Sequence, residues 1–236
     1  MSEGEKQSLE DVIAIDGLYN ALVAEAESNL GYDVVIVNPG MGETSRITGA
    51  LDLAYFTGAE TFICGGVNDL EAERGDVHTV EQILKLNCKL HDHPASFKVV
   101  APHRGPNTRE QSLFVAGELL KMAHADHEDR EPLVCAQTGG SWLGPRSFLA
   151  LVQAVMDTFR DASAALPRIF PVLVPTQFGS EIRAATESHK RSNYGAGLME
   201  AITGEVERRR IYTPRGHLAN LATLKEYLTR AHGLSF

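Results

Sequence analysis

The feature that most constrains this chain is a recurring unit: a short β-branched or aromatic run, a polar loop carrying glycine, and a helix-length amphipathic stretch. Its first copy is the clearest. Val34-Val35-Ile36-Val37 is apolar without alternation and runs into the turn Asn38-Pro39-Gly40. Such a run fits a strand covered on both faces, as strands in parallel sheets are. Residues 61–64, 97–101, 133–136 and 169–174 supply further candidate strands, and 46–57, 79–90, 109–124 and 145–164 supply helices between them. Alternating units of this length predict a parallel, doubly wound sheet, because each right-handed crossover returns the chain in the same direction.

Before the first strand, Leu9, Val12, Ile13, Leu18, Leu22 and Ala26 are spaced closer to the helical period than to the strand period, which predicts a leading helix over 9–30. After the last strand, helices are expected over 181–189, 194–208 and 218–232, with 205–210 read as a charged, helix-ending run and Pro214-Arg215-Gly216 as an interruption. Thr108, before Arg109-Glu110-Gln111, is the expected N-cap of its helix, and Thr79 can start another with Glu81 in its first turn. The expectation is α/β: one Rossmann-like three-layer sandwich over 1–236, with a mostly parallel sheet and extra helices at both termini. The leading helix occupies 1–30, the core units 31–175 and the C-terminal helical part 176–236.

Charge and cysteine content narrow the function. A formal charge of -9 makes the molecule as a whole repel nucleic acid and anionic membranes. No run approaches the length of a membrane span, and the acidic, polar start is unlike a signal peptide. Cys64, Cys88 and Cys135 have no metal-ligand spacing, and an odd number does not suggest a disulfide framework. A cytoplasmic protein with reduced thiols is expected.

In open α/β sheets ligands bind beyond the carboxyl ends of the strands, so the loops after each strand carry the chemistry. Here they hold Gly40, Gly42 and Arg46 after the first strand, Gly65, Gly66 and Asn68 after the second, and His103, Arg104, Asn107, Thr108, Arg109 and Glu110 after the third. The fourth is followed by Gly139, Gly140, Trp142 and Arg146. Glycines permit close backbone approach, helix starts offer unpaired N–H groups, and arginines grip carboxylate or phosphate bidentately. The expected ligand is a small anion. No dinucleotide fingerprint or phosphate-loop motif completes the pattern, since Ser45 stands where a third glycine would.

Each candidate also has an ordinary reading: a tight turn for the glycines, a solvated or acid-paired arginine, a surface histidine. His103 beside Arg104 would favour the neutral imidazole and so could act as a base. Cys64 and Cys135 at strand ends could present a nucleophile or be small buried hydrophobes, and Trp142 could stack on a planar ring or cap the core. His91-Asp92-His93 invites a metal reading, but at a helix end such histidines commonly serve the dipole, and no metal site is expected.

The order of these residues resembles the YdcF/SanA/ElyC-like family, on its soluble branch. The matching series is Ser45-Arg46-Ile47, Cys64-Gly65-Gly66, Thr79-Val80-Glu81, Asn107-Thr108-Arg109-Glu110 and Arg146, spanning about half the chain, roughly 34–156. Members commonly carry serine at Cys64, asparagine at Gln111 and histidine at Leu143. The resemblance implies a Rossmann-like fold and S-adenosylmethionine or a nucleotide as cofactor or ligand, without fixing a reaction.

Three functions follow as expectations. The first is an enzyme acting on a nucleotide-like or phosphorylated small molecule, with Glu81, His103 or Glu110 as acid and base. The second is a non-catalytic module that binds the same ligand. The third is a protein whose loops serve partner or oligomer contacts.

Overall fold

The apolar run of the first unit forms a strand, β1 (Val34–Val37), with every side chain fully buried. The computed structural model describes residues 6–28, 31–38, 44–66, 97–101, 107–125, 131–139, 144–174 and 198–236. Alternation along β1 sends Val34 and Ile36 into one apolar core and Val35 and Val37 into another, on the opposite face. Double burial is why the run has no polar break.

Four more strands, β2 (Thr61–Cys64), β3 (Lys98–Val100), β4 (Val134–Gly139) and β5 (Arg168–Leu173), complete a sheet of order β3-β2-β1-β4-β5 with every pairing parallel. The chain thus builds outward from β1 to β3, then crosses back to lay β4 on the other side of β1. That reversal point is where a ligand crevice opens in such folds. At the opposite end Asp33 ties three strands together: its carboxylate accepts the Val134 N–H at 2.8 Å, and its carbonyl accepts from Glu60 and Thr61.

Six helices are described: α1 (Leu9–Ser28), α2 (Thr44–Thr57), α3 (Thr108–Ala125), α4 (Gly144–Thr158), α5 (Leu198–Tyr212) and α6 (Leu221–His232). Ile47, Ala50, Leu51 and Ala54 of α2 join the core holding Val35 and Val37. Val115, Ala116 and Leu119 of α3, with Leu149, Val152 and Val155 of α4, join the core holding Val34 and Ile36. The result is a Rossmann-like three-layer sandwich. No described helix is long and apolar enough to cross a membrane.

Beyond the core units, α1 buries Val12, Ile15, Tyr19, Leu22 and Ala26, a stripe at helical spacing, while Leu9 and Ile13 of the expected apolar set face outward. Its neighbour β5 ends the described sheet, and an edge position is where Pro171, which has no N–H to donate, is tolerated. The helix α6 packs through Tyr227, whose hydroxyl accepts the Ile169 N–H at 2.8 Å and donates to the Pro167 carbonyl at 2.9 Å.

Helix ends differ from expectation where a local bond decides. Instead of running to Ala164, α4 stops at Thr158, because Phe159 turns into the core and the Ala162 N–H bonds its carbonyl. The charged run Glu205 to Arg210 does close α5, with Glu205–Arg208 and Glu207–Arg210 pairs one turn apart supporting it, but the helix runs on to Tyr212 instead of ending at Arg208. Leu218 precedes α6, since Asn220 is the N-cap and accepts the Thr223 N–H. The expected helices over 79–90 and 181–189 lie outside the described residues.

Candidate functional site

A cavity of about 280 Å³ opens at the carboxyl end of the sheet. Asn107, Thr108, Arg109 and Glu110 line it from α3, Arg146 and Ala150 from α4, and Tyr212, His217 and Leu218 from the α5–α6 connection. Five expected site residues therefore share one cavity.

The start of α3 sets the first of these walls, in a frame one residue earlier than Thr108 suggested. Asn107 is the cap: its Oδ1 accepts the Glu110 N–H at 3.0 Å, and its carbonyl accepts from Gln111. Asn107-Thr108-Arg109-Glu110 then reads as a capping residue with an acid at the third helical position, and Thr108 is the first helical residue. Gln111, buried, points the other way and donates from Nε2 to the Gly66 carbonyl at 2.9 Å. That bond fixes the turn of α3 against the end of β2.

Arg146, in the first turn of α4, has its Nε 2.6 Å from Oε2 of Glu205, and the same buried carboxylate pairs with Arg208. One buried carboxylate thus holds two guanidiniums, one of them on the cavity wall. His217 reaches the cavity because Gly216, at φ +68, and its N–H bond to the Thr213 carbonyl close a tight turn after α5. The imidazole stacks on Tyr212 at 5.9 Å, and the Arg215 guanidinium lies 5.9 Å from the same ring. Burial, then the charges of Arg109 and Arg215, hold His217 below its ordinary pKa. Its neutral form is the one present at neutral pH.

Other expected residues sit elsewhere. Arg46 is 1% exposed on the inner side of α2 and does not line the cavity. Gly65 is hemmed in: a Cβ there would stand 2.4 Å from Asn38 Oδ1 and 2.8 Å from Gln111 Cβ. Gly66 takes φ +100, which side-chain-bearing residues rarely adopt. Gly139 ends β4 against Gly144, whose own missing Cβ makes room for the Tyr19 hydroxyl. Both described cysteines are unpaired and fully buried, and burial pushes the Cys64 thiol to about 11 and raises that of Cys135 as well, which suits a packing role. Gly40, Gly42, Asn68, Glu81, His103, Arg104, Gly140 and Trp142 lie outside the described residues, as do Cys88, His91, His93 and Leu143.

Sequence reasoning missed Glu205, Tyr212 and His217. The available signal was Pro214-Arg215-Gly216, which marks a turn able to carry the next side chain back toward the sheet. A second groove of about 610 Å³ runs between α2 and the end of β5, but Leu53, Phe56, Val172 and Leu173 make it largely apolar. Among the described residues no group of His, Cys, Asp or Glu is placed to hold a metal ion. No family model, curated protein or solved structure matches the chain.

Proposed function

We propose that this chain is a cytoplasmic enzyme acting on a small anionic ligand, nucleotide-like or phosphorylated, bound at the carboxyl ends of the sheet strands. The observation that carries the reading is the meeting of Arg109, Arg146 and His217 with the first turn of α3 around one small cavity. Free N–H groups at a helix start and nearby guanidiniums favour negative charge together, and here they line one cavity. In this reading Arg109 grips the anion and Arg146, steadied by Glu205, supplies fixed field. The neutral imidazole of His217 is the candidate proton acceptor, and Glu110, on the same cavity, is a further candidate catalytic residue.

Glu81, His103, Arg46 and Arg104 remain candidates on the strength of loop position and family order. The YdcF/SanA/ElyC-like resemblance favours S-adenosylmethionine among nucleotide-like ligands. Unpaired thiols at Cys64 and Cys135 accord with a reducing compartment.

The test is calorimetric titration with inorganic phosphate, AMP and ADP. Arg109→Ala and His217→Ala are each expected to weaken the best of these at least tenfold, and unchanged affinity in both variants would remove the reading. The engagement of Arg146 by Glu205 also favours a second reading, a pocket that holds its ligand without turning it over. Saturated binding with no product after prolonged incubation decides for that one.

A further inference from the structure

Asn38 is the residue that leaves β1 where the order of the sheet reverses. Its side chain is 3% exposed, and neither amide atom has a hydrogen-bond partner among the described residues. Gln137 of β4, also 3% exposed, is in the same condition. The register sets Ile36 opposite Gln137, so strand alternation puts Gln137 and Asn38 on the same face of the sheet, one step apart diagonally. This is the face covered by α3 and α4. Gly65 brings the end of β2 to the same place, since a Cβ there would collide with Asn38 Oδ1 and with Gln111 of α3.

Buried polar side chains in folded proteins are almost always hydrogen-bonded, and leaving one unpaired costs stability. Two adjacent violations at the switch point of an α/β sheet coincide with the location where this architecture binds ligands. Around them Ile36 and Ile63 are fully buried and apolar, which disfavours a charged group and permits an uncharged one with its own donors and acceptors. A primary amide offers an acceptor oxygen beside an N–H donor in one plane, the pattern that pairs with the edge of a base.

We propose that Asn38 and Gln137 form a hydrogen-bonding subsite for an uncharged nucleobase, inserted at the carboxyl end of β1 and β4. The inference does not depend on the anion cavity, whose walls are other residues. It also explains why polar side chains occupy positions that sheet packing alone would fill with valine or isoleucine.

The experiment titrates the full chain with the free nucleosides adenosine, guanosine, cytidine and uridine, with ribose as the arm lacking a base. Asn38→Leu and Gln137→Leu, close in shape and apolar, are the variants. The expected result is that at least one nucleoside binds while ribose does not, that each variant weakens binding about tenfold or more, and that neither ligand-free variant melts below the wild type. Absence of binding by all four nucleosides at millimolar concentration overturns the proposal, as does equal binding of ribose or unchanged affinity in both variants. Loss of folding or a lower melting temperature in both variants overturns it too, because the amides would then already be satisfied in the ligand-free protein. Inorganic phosphate run against Arg109→Ala reports on the anion cavity separately.

Discussion

Two histidines show how placement converts one side chain into different devices. His217 lines the cavity, and burial, then the charges of Arg109 and Arg215, lower its pKa from 6.5, so the free protein carries it neutral at pH 7. A bound anion would favour the imidazolium, so binding takes up a proton and strengthens as pH falls below neutrality. Inorganic sulfate keeps its charge over that range and is the suitable probe. Its affinity is expected to rise several-fold between pH 7.5 and 5.5 in the wild type and to stay nearly flat in His217→Gln, measured by calorimetry. His232, by contrast, lies against Phe170 at 4.9 Å and Tyr227 at 5.6 Å, and burial with the nearby Arg168 charge lowers it to about 4. Its unfolded value is 6.5, so the stability it permits is full above that pH and is lost as pH falls toward 4. Urea denaturation should show a loss of order 2 kcal/mol across that interval, much reduced in His232→Phe.

At the scale of elements, the strands were legible and the helix ends were not, for a physical reason. A run such as Val34–Val37 is buried on both faces, so its composition has no alternative use. Helix termini are contests between neighbouring side chains, and Asn107 wins over Thr108 because its Oδ1 reaches the Glu110 N–H. By contrast the charged run Glu205 to Arg210 does close its helix, carrying its charges as pairs one turn apart before α5 ends at Tyr212. The glycine-rich loops were read as ligand cradles or tight turns, yet Gly65 is needed for contact between β2, Asn38 and α3. Gly65→Ala is therefore expected to cost about 1–3 kcal/mol through overpacking. In Gly17, within α1, a Cβ would meet nothing within 4 Å, so Gly17→Ala should stabilise by about 0.5–1 kcal/mol. The same substitution with opposite signs, read from urea midpoints at constant slope, checks both statements.

Across the whole molecule, the terminal helices are structural parts of the candidate site, which the sequence beyond Pro175 left illegible because the ties are distant along the chain. Lys6 pairs with Glu207 at 2.5 Å, the Gln7 N–H bonds the Arg210 carbonyl at 3.0 Å, and Asp16 grips the buried Arg209 through both carboxylate oxygens. The same α5 supplies Glu205 to Arg146 and delivers Tyr212 and His217 to the cavity. From the other side Tyr19 of α1 fills the space beside Gly144 at the start of α4. Asp16 lines no part of the cavity, yet it restrains the helix that builds one wall. Asp16→Asn keeps the volume and leaves Arg209, 5% exposed, without its counter-charge, so a loss of about 1–3 kcal/mol is expected, below the full cost for a buried pair because Asp16 is partly solvated. If α1, α5 and the sheet are one cooperative unit, far-ultraviolet and tyrosine near-ultraviolet transitions will coincide in wild type and variant alike. Sulfate affinity will then fall in the variant by severalfold through misplacement of His217. Two separated transitions, or a destabilised variant with undiminished sulfate affinity, would show instead that the terminal helices pack beside the site without shaping it.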